Sequence, residues 1–517
     1  MVKFTAHDFD KLAVANDQAI DKPQSDDATE RQIRVAALAD TMYCAPANSL
    51  FSPTVLEGLL RFVEFTLVTI AGFGLYLLTV TPERGFEWPS LILIPALAAG
   101  VVLTLQALGL YRLGAFRALR SQALRLAGGI AVVCLAALLT SFILSFDAET
   151  ARPFLLDWFA ATLVTVLITR VLLSLFVARL SRTGRLNRRT VLVGGGAAAN
   201  DLLHNLANPP QTDLEILGIF DDRADDRSPA KVGEFRKLGT VDDLIEFARR
   251  TRVDLIIFTL PISAENRILQ MLRRLWILPI DIRLAAHMSK LRFHERSYSY
   301  IGAVPLIDIF ERPLADWDLV LKLCFDKIVG AFCLLLLAPV MLLVALAVKI
   351  DSKGPALFKQ KRYGFNNELI EVYKFRSMYV ESLDQTAAKL VTRGDPRVTR
   401  VGRFIRKTSL DELPQLFNVV FKGNLSLVGP RPHAVHAKAA EQLYDAVVDG
   451  YFARHRVRPG LTGWAQINGW RGETDTQEKI QHRVEHDLHY IENWSILFDL
   501  YILLKTPYAL LKSDNAY

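Results

Sequence analysis

Four apolar blocks, at roughly 56–80, 90–111, 126–146 and 154–178, fill most of the first third of this 517-residue chain. Each reaches the ~20 residues a helix needs to cross a bilayer. In hydrocarbon every backbone N–H and C=O has to be satisfied within the segment, so such blocks read as spanning helices. Their connections orient them. Arg112, Arg117, Arg120 and Arg125 lie between the second and third blocks, and Arg179, Arg182, Arg185, Arg188 and Arg189 follow the fourth. The loops at 81–89 and 147–153 carry Glu83, Glu87, Asp147 and Glu149 instead. Basic loops stay cytoplasmic, so the expectation is a four-transmembrane-helix bundle over 51–182 with both ends inward. Glu64, Asp157 and Arg170 lie in or near the spans, where pairing within the bundle or snorkelling is the expected use. Residues 1–50, without an early apolar run, read as a flexible cytoplasmic tail.

Composition agrees with segregated apolar and charged regions: 51% hydrophobic, 22% charged, mean hydropathy +0.22. The net charge of +7 suits a partner of opposite sign, whether nucleic acid, anionic lipid headgroups or a phosphorylated substrate, without choosing among them. Cys44, Cys134, Cys324 and Cys333 form no CxxC pair and read as small core residues rather than a disulfide frame or zinc site.

After the bundle, Arg189-Thr-Val-Leu-Val-Gly-Gly-Gly-Ala-Ala-Ala-Asn200 reads as a buried strand, a glycine turn and a helix start. Gly194, Gly196 and Ala199 fit a loose G-x-G-x-x-G/A pattern, and Asp221 and Asp222 end the next strand, Leu214 to Phe220, where a ribose partner would sit. A helix at 241–251, a strand at Val253–Leu260, a helix at 265–275 and a strand at Pro279–Leu284 continue the alternation. This is a Rossmann-like α/β domain over 186–312. A short glycine turn also starts the first helix of any such sheet, so it implies no firm dinucleotide.

Residues 328–350 are another long apolar stretch, but Pro339 sits in its centre and removes a helix hydrogen bond. A fifth full span would also export the rest of the chain, yet residues 351–437 hold 15 Lys/Arg against 8 Asp/Glu. That bias keeps a segment cytoplasmic. A re-entrant helix broken at Pro339 satisfies both observations.

From 351 onward short motifs crowd together: Tyr373-Lys-Phe-Arg-Ser-Met378, Gly394-Asp-Pro-Arg397, Thr408-Ser-Leu-Asp-Glu-Leu-Pro-Gln415, Ser426-Leu-Val-Gly-Pro-Arg-Pro432 and Arg458-Pro-Gly-Leu-Thr-Gly-Trp464. Arginines beside Gly and Pro turns (Arg397, Arg431, Arg458) can offer a fixed fork to phosphate oxygens. Adjacent carboxylates amid this positive charge, Asp411 and Glu412, can divide the work. One attacks phosphorus while the other binds a divalent ion or handles protons. Alternatively, they sit in the first turn of a helix capped by Ser409, and the arginines form a headgroup-binding face.

Taken together, residues from about 315 to 512 closely resemble the bacterial polyprenyl-phosphate sugar-phosphate transferases, the initiating phosphoglycosyl transferases of exopolysaccharide and O-antigen assembly. Lys374-Phe-Arg-Ser-Met378 and Asp411-Glu-Leu-Pro-Gln415 are the most specific matches. Asp326-Lys327 stands where members often carry Asp-Arg. The resemblance implies a mainly α catalytic domain over 315–517, with a re-entrant membrane helix at 319–350, on the cytoplasmic face of a bacterial inner membrane. It implies a UDP-sugar, undecaprenyl phosphate and membrane lipid as partners, no nucleic acid, and room for a homodimer. Asp411 would attack the sugar-linked phosphate and release UMP, and the lipid phosphate would then take the sugar phosphate from the aspartyl intermediate. Mg2+ would be held at Asp411 and Glu412. Lys374, Arg376, Arg397, Arg431 and Arg458 would contact phosphate or substrate. Glucose or galactose phosphate is the default sugar. The stretch 484–512, with Tyr490, Trp494, Phe498, Tyr501 and Tyr508, reads as interfacial.

Two other classes remain open. A membrane-anchored nucleotide-sugar dehydratase or epimerase needs a Tyr-x-x-x-Lys near its dinucleotide fold, and here only Tyr501 and Lys505 match, far downstream. A non-catalytic membrane scaffold or regulator is opposed by the intact Asp411-Glu412 pair.

Overall fold

The computed structural model describes residues 52–111, 119–143, 148–182, 187–207, 214–223, 229, 231–261, 264–285, 299–301, 304–380, 395–432, 438–439, 442–443, 451–470 and 476–512. The tail expected over 1–50 lies outside them. The chain forms two compact units, residues 48–187 and, chiefly, residues 188–517.

The first unit is a bundle of α1 (Pro53–Thr79), α2 (Ser90–Ala107), α3 (Leu119–Ile143) and α4 (Ala148–Arg182). Pro53 opens α1 where its missing N–H costs nothing, and the Ser52 side chain accepts from Val55 N at 3.2 Å. Val68, Ala98, Leu105, Ile130, Trp158 and Val166 fill the interior, while Phe62, Ile92, Phe142 and Leu172 point outward. Apolar side chains on both the inside and the outside are what a lipid environment requires. The buried polar groups answer one another. Arg170 Nε lies 2.7 Å from Glu64, and Tyr111 donates to the same carboxylate at 2.6 Å. Pairing inside the bundle is thus the use the structure gives Glu64 and Arg170.

The second unit begins with an eight-stranded sheet. Its strands are β1 (Arg188–Val193), β2 (Leu214–Phe220), β3 (Lys231–Val232), β4 (Phe235–Gly239), β5 (Leu255–Phe258), β6 (Asp281–Ala285), β7 (Ser299–Ile301) and β8 (Val304–Phe310). The order is β3-β4-β2-β1-β5-β6-β8-β7. β4, β2, β1, β5 and β6 run parallel. Helices α5 (Ala197–Ala207), α6 (Val241–Arg250) and α7 (Glu265–Leu275) intervene, and separate apolar clusters cover the two faces. This is the Rossmann-like domain expected from the alternation. Antiparallel β8 and β7 extend its edge beyond anything the glycine pattern announced. Because strand order reverses between β1 and β5, the switch point lies at the glycine turn after β1.

The chain then enters α8 (Asp316–Asp351), a 36-residue helix with Pro339 inside it. Five helices, α1–α4 and α8, are long and apolar enough to cross a membrane. Helical backbone continues through Pro339, so the expected break is at most a kink. One face of α8 is covered along most of its length. Phe325, Val329, Cys333 and Leu337 pack with Val419, Leu427 and Val428, and Met341, Val344 and Val348 pack with Phe375 and Ile405. The opposite face exposes Ile328, Phe332, Leu335, Leu336, Leu343 and Leu346.

Packed on α8 are the hairpin β9 (Leu357–Tyr363)–β10 (Leu369–Phe375), α9 (Arg400–Lys407), and the parallel pair β11 (Ser426–Val428) and β12 (Gly460–Thr462). The stretch expected to be interfacial lies in two helices, α10 (Gln477–Glu492) and α11 (Ile496–Lys512), with Tyr490 buried. On α11, Leu497, Tyr501, Leu504 and Tyr508 are exposed.

Candidate active site

Asp411 and Glu412 lie in a single 3-10 turn, Leu410–Glu412, directly after α9. Ser409 enters that turn with φ 59°, a left-handed conformation uncommon for a residue other than glycine, and its side chain makes no capping bond. The turn is therefore not the capped start of a regular helix. Its placement comes from packing: Leu410 and Leu413, flanking the two acids, join the cluster of Met341, Val344, Phe375 and Ile405 against α8. Asn418, fully buried in the π-helical turn just beyond, ties the acid segment to β10. It accepts from Tyr373 N at 3.0 Å and donates to Glu371 O at 2.7 Å.

Of the five basic residues expected at phosphate, two converge on the acidic pair. Lys374, on β10, lies 2.8 Å from Glu412. Arg431, in the loop after β11, reaches the two oxygens of Glu412 at 2.5 and 3.2 Å. The loop is set by close crossing with the strand beside it. A Cβ on Gly429 would stand 2.6 Å from the Arg458 carbonyl, and one on Gly460 would stand 2.1 Å from Gly429 N. Only glycine fits either place.

The other three do not join them. Arg376 is buried and caps the end of α8, donating to the Ser352 carbonyl at 2.8 Å and to that of Lys353. Arg397 forks onto its near neighbour Asp395, at 2.6 Å from NH2. Arg458 is half-buried beside β11, where desolvation lowers its pKa and nearby Asp326 opposes the shift. Among the described residues, neither a hydrogen bond nor an ion pair joins any of them to Asp411 or Glu412.

Electrostatics divide the two acids. Burial pushes the Asp411 carboxyl up to about 6, the Glu412 charge adds to the shift, and Lys374, Arg406 and Arg431 oppose it. Burial would raise Glu412 as well, but the Arg431 and Lys374 charges and their hydrogen bonds outweigh it and hold Glu412 below the usual range. Among the described residues, no hydrogen bond or ion pair reaches the Asp411 carboxylate. One acid is locked in charged pairs. Its neighbour is buried, largely ionised at neutral pH, and uncommitted, as a nucleophile requires.

Arg406, at the end of α9, is a candidate that motif reading missed. Its charge acts on Asp411, and its buried NH1 has no hydrogen-bond partner. A buried guanidinium nitrogen without a protein partner is available to an anionic ligand. The available signal was position: Arg406 precedes Asp411 by five residues, across the left-handed residue Ser409.

A divalent ion fits this donor set narrowly. No group of three His, Cys, Asp or Glu side chains gathers here among the described residues. Mg2+ commonly takes one or two carboxylates together with substrate phosphates. Asp411 can supply one, while the Glu412 oxygens are already engaged by Lys374 and Arg431.

The glycine turn of the sheet domain has a different character. The Thr259 hydroxyl, at the end of β5, donates to Gly194 O at 2.7 Å, and Gly194 and Gly196 hold φ of 104° and 89°. Gly195 N, an amide that could face a phosphate, donates instead to Asp221 at 2.7 Å. Asp221 is fully buried and also holds Arg223 at 3.0 Å. The aspartate expected at a ribose is thus spent inside the fold. Tyr501 and Lys505, 2.8 Å apart, lie on α11 rather than at this turn.

Residues 317–513 match the bacterial sugar transferase family, and residues 106–286 match a CoA-binding domain family. Over 496 residues the chain is 32% identical to the UDP-glucose:undecaprenyl-phosphate glucose-1-phosphate transferase of Xanthomonas campestris pv. campestris, covering 93% of this chain and 100% of that protein. The protein of the same description from Escherichia coli (strain K12) is 37% identical, over 72% of this chain and 78% of its own length. The undecaprenyl-phosphate glucose phosphotransferase of Komagataeibacter xylinus is 39% identical over 70% of this chain and 66% of that protein. With relatives matched along most of their length and the acidic pair lying inside the shared region, the chain belongs to the bacterial sugar transferase family.

Proposed function

We propose that this protein transfers hexose 1-phosphate, glucose in the first instance, from a UDP-hexose to undecaprenyl phosphate, releasing UMP and forming undecaprenyl-diphospho-hexose. Such a step would initiate an exopolysaccharide, O-antigen or capsule. The observation that carries the reading is the division between Asp411, buried and uncommitted, and Glu412, held by Lys374 and Arg431. The names of the relatives supply the substrate class.

In this mechanism an ionised Asp411 oxygen attacks the phosphorus that carries the sugar. The bond to the UMP oxygen breaks and UMP leaves with that electron pair. A phosphate oxygen of undecaprenyl phosphate then attacks the aspartyl-phosphosugar, and the Asp411–phosphorus bond breaks to restore the carboxylate. Arg406 and Arg431 offer nitrogens to the phosphate oxygens, and Glu412 keeps Lys374 and Arg431 in place. Mg2+, held by Asp411 and the diphosphate, would offset negative charge that otherwise repels the nucleophile.

The membrane arrangement we infer has α1–α4 as four spans with both ends cytoplasmic, and α8 entering and leaving the inner leaflet. Support for the re-entrant course comes from its two ends, each of which meets an element of the catalytic part, β11 at the start and α9 at the end. Lys322 near its start donates to Val428 O at 2.9 Å, and Asp351 at its end accepts from Val401 N at 3.0 Å.

The test is UMP release from membranes carrying the protein, given UDP-glucose or UDP-galactose, undecaprenyl phosphate and Mg2+, beside Asp411→Asn. Release that turns over only with the lipid phosphate and vanishes in the variant supports the reading. Folded protein that releases no UMP from either sugar nucleotide refutes it.

A further inference from the structure

Among the described residues, no hydrogen bond or ion pair joins the 3-10 turn Tyr451–Arg456 to either acid of the candidate site, yet it is held from several directions. From the sheet domain, Arg249 of α6 lies over the Phe452 ring at 5.1 Å, and the Glu311 carbonyl accepts from Arg456 at 3.3 Å. From the β9–β10 hairpin, Asn367 meets His455, while neighbouring Asn366 donates to Ala248 O of α6 at 3.1 Å. Arg454 points the other way. Its buried NH2 donates to the backbone carbonyl of Arg431 at 2.6 Å and lies 2.6 Å from Asp487 of α10.

Two buried charges that only packed together would be an expensive choice, because desolvation costs several kcal/mol per ion and apolar residues of equal volume often do as well. The bond to the Arg431 carbonyl is what an apolar pair could not supply. It bears on a residue whose placement matters, since the Arg431 fork spans both oxygens of Glu412 from a loop that comes after only three strand residues. Fork geometry tolerates a misplacement of only about half an ångström.

We propose that Arg454, anchored by Asp487, is a positioning residue that sets the backbone of Arg431 and so the Arg431–Glu412 contact. The turn that carries it couples the sheet domain to the active site. The proposal rests on the reading of Arg431 as part of the transferase site.

Two measurements on the full chain in nanodiscs test it. The first needs no turnover: structures of wild type and of Asp487→Asn are compared under one condition. The proposal expects Arg431 to leave one or both Glu412 oxygens in the variant, and a folded Asp487→Asn that keeps both contacts overturns it. The second is a double-mutant cycle on UMP release. Arg454→Lys alone is expected to lower kcat/KM about 10–100-fold, the scale of a misplaced site group. In an Arg431→Lys background the same change is expected to cost less than about 3-fold, because its target is already gone. Additive losses, or an Arg454→Lys loss that only tracks the folded fraction in thermal unfolding, overturn it. If wild type itself releases no UMP, the transferase reading fails, and the structural comparison still decides the positioning.

Discussion

Arg431 donates to both oxygens of Glu412, at 2.5 and 3.2 Å, and among the described residues no such bond reaches Asp411. Two adjacent acids in one short turn thereby acquire different surroundings. Two cations neutralise one, and the other is buried without them.

Replacing the uncommitted acid tests the proposed nucleophile. Asp411→Asn is expected to lower UMP release by at least about 10^3-fold, with the thermal midpoint unchanged or raised, since the variant buries no charge. Glu412→Gln leaves Lys374 and Arg431 without their anchor and is expected to lower kcat about 10^2–10^3-fold. An active Asp411→Asn enzyme would send the search for the nucleophile elsewhere.

The pH dependence comes from the raised Asp411 carboxyl. Attack needs the ionised form, so kcat/KM is expected to fall about tenfold per pH unit below about 6 and to level off above it. A profile flat down to pH 5 would place the ionisation near the ordinary range and contradict the burial argument.

Arg406 can be separated from the structural arginines. Arg406→Ala is expected to lower kcat/KM about 10^2–10^3-fold with little change in melting, because its buried NH1 gives up no protein partner. Arg376→Ala is expected to do the reverse. It uncaps Ser352 and Lys353 at the end of α8, costs about 1–3 kcal/mol of stability, and leaves kcat of the folded fraction near wild type. Equal effects on rate and melting in both variants would count against the division.

For the sheet domain, NAD+ at millimolar concentration is expected to leave the melting temperature unchanged. The Gly195 amide it would use already donates to Asp221. A concentration-dependent rise would show that Asp221 yields to a phosphate.

The course of α8 can be read by labelling. In a cysteine-free background, Asp318→Cys and Lys353→Cys are expected to react with an impermeant reagent from the cytoplasmic side alone. Labelling from opposite sides would make α8 a fifth span.

What could be read from the chain in advance is what local rules govern. Runs of apolar residues longer than a bilayer core made α1–α4 and α8 legible, and Gly194-Gly-Gly196 after a buried strand announced the sheet domain. Asp411-Glu412 among arginines drew attention to the acidic pair. Tertiary structure decided the assignments that depend on neighbours distant in sequence. Arg376 and Arg431 look alike beside their motifs, but one faces the carbonyls ending α8 and the other faces Glu412. Asp221 reads as a ribose ligand until Arg223 and the Gly195 amide are seen to occupy it. Sequence determines which groups a segment carries and where the bilayer takes it. Which charge each group meets depends on side chains brought together from different elements, and in this protein that choice separates a buried acid left uncommitted from a neighbour held by two cations.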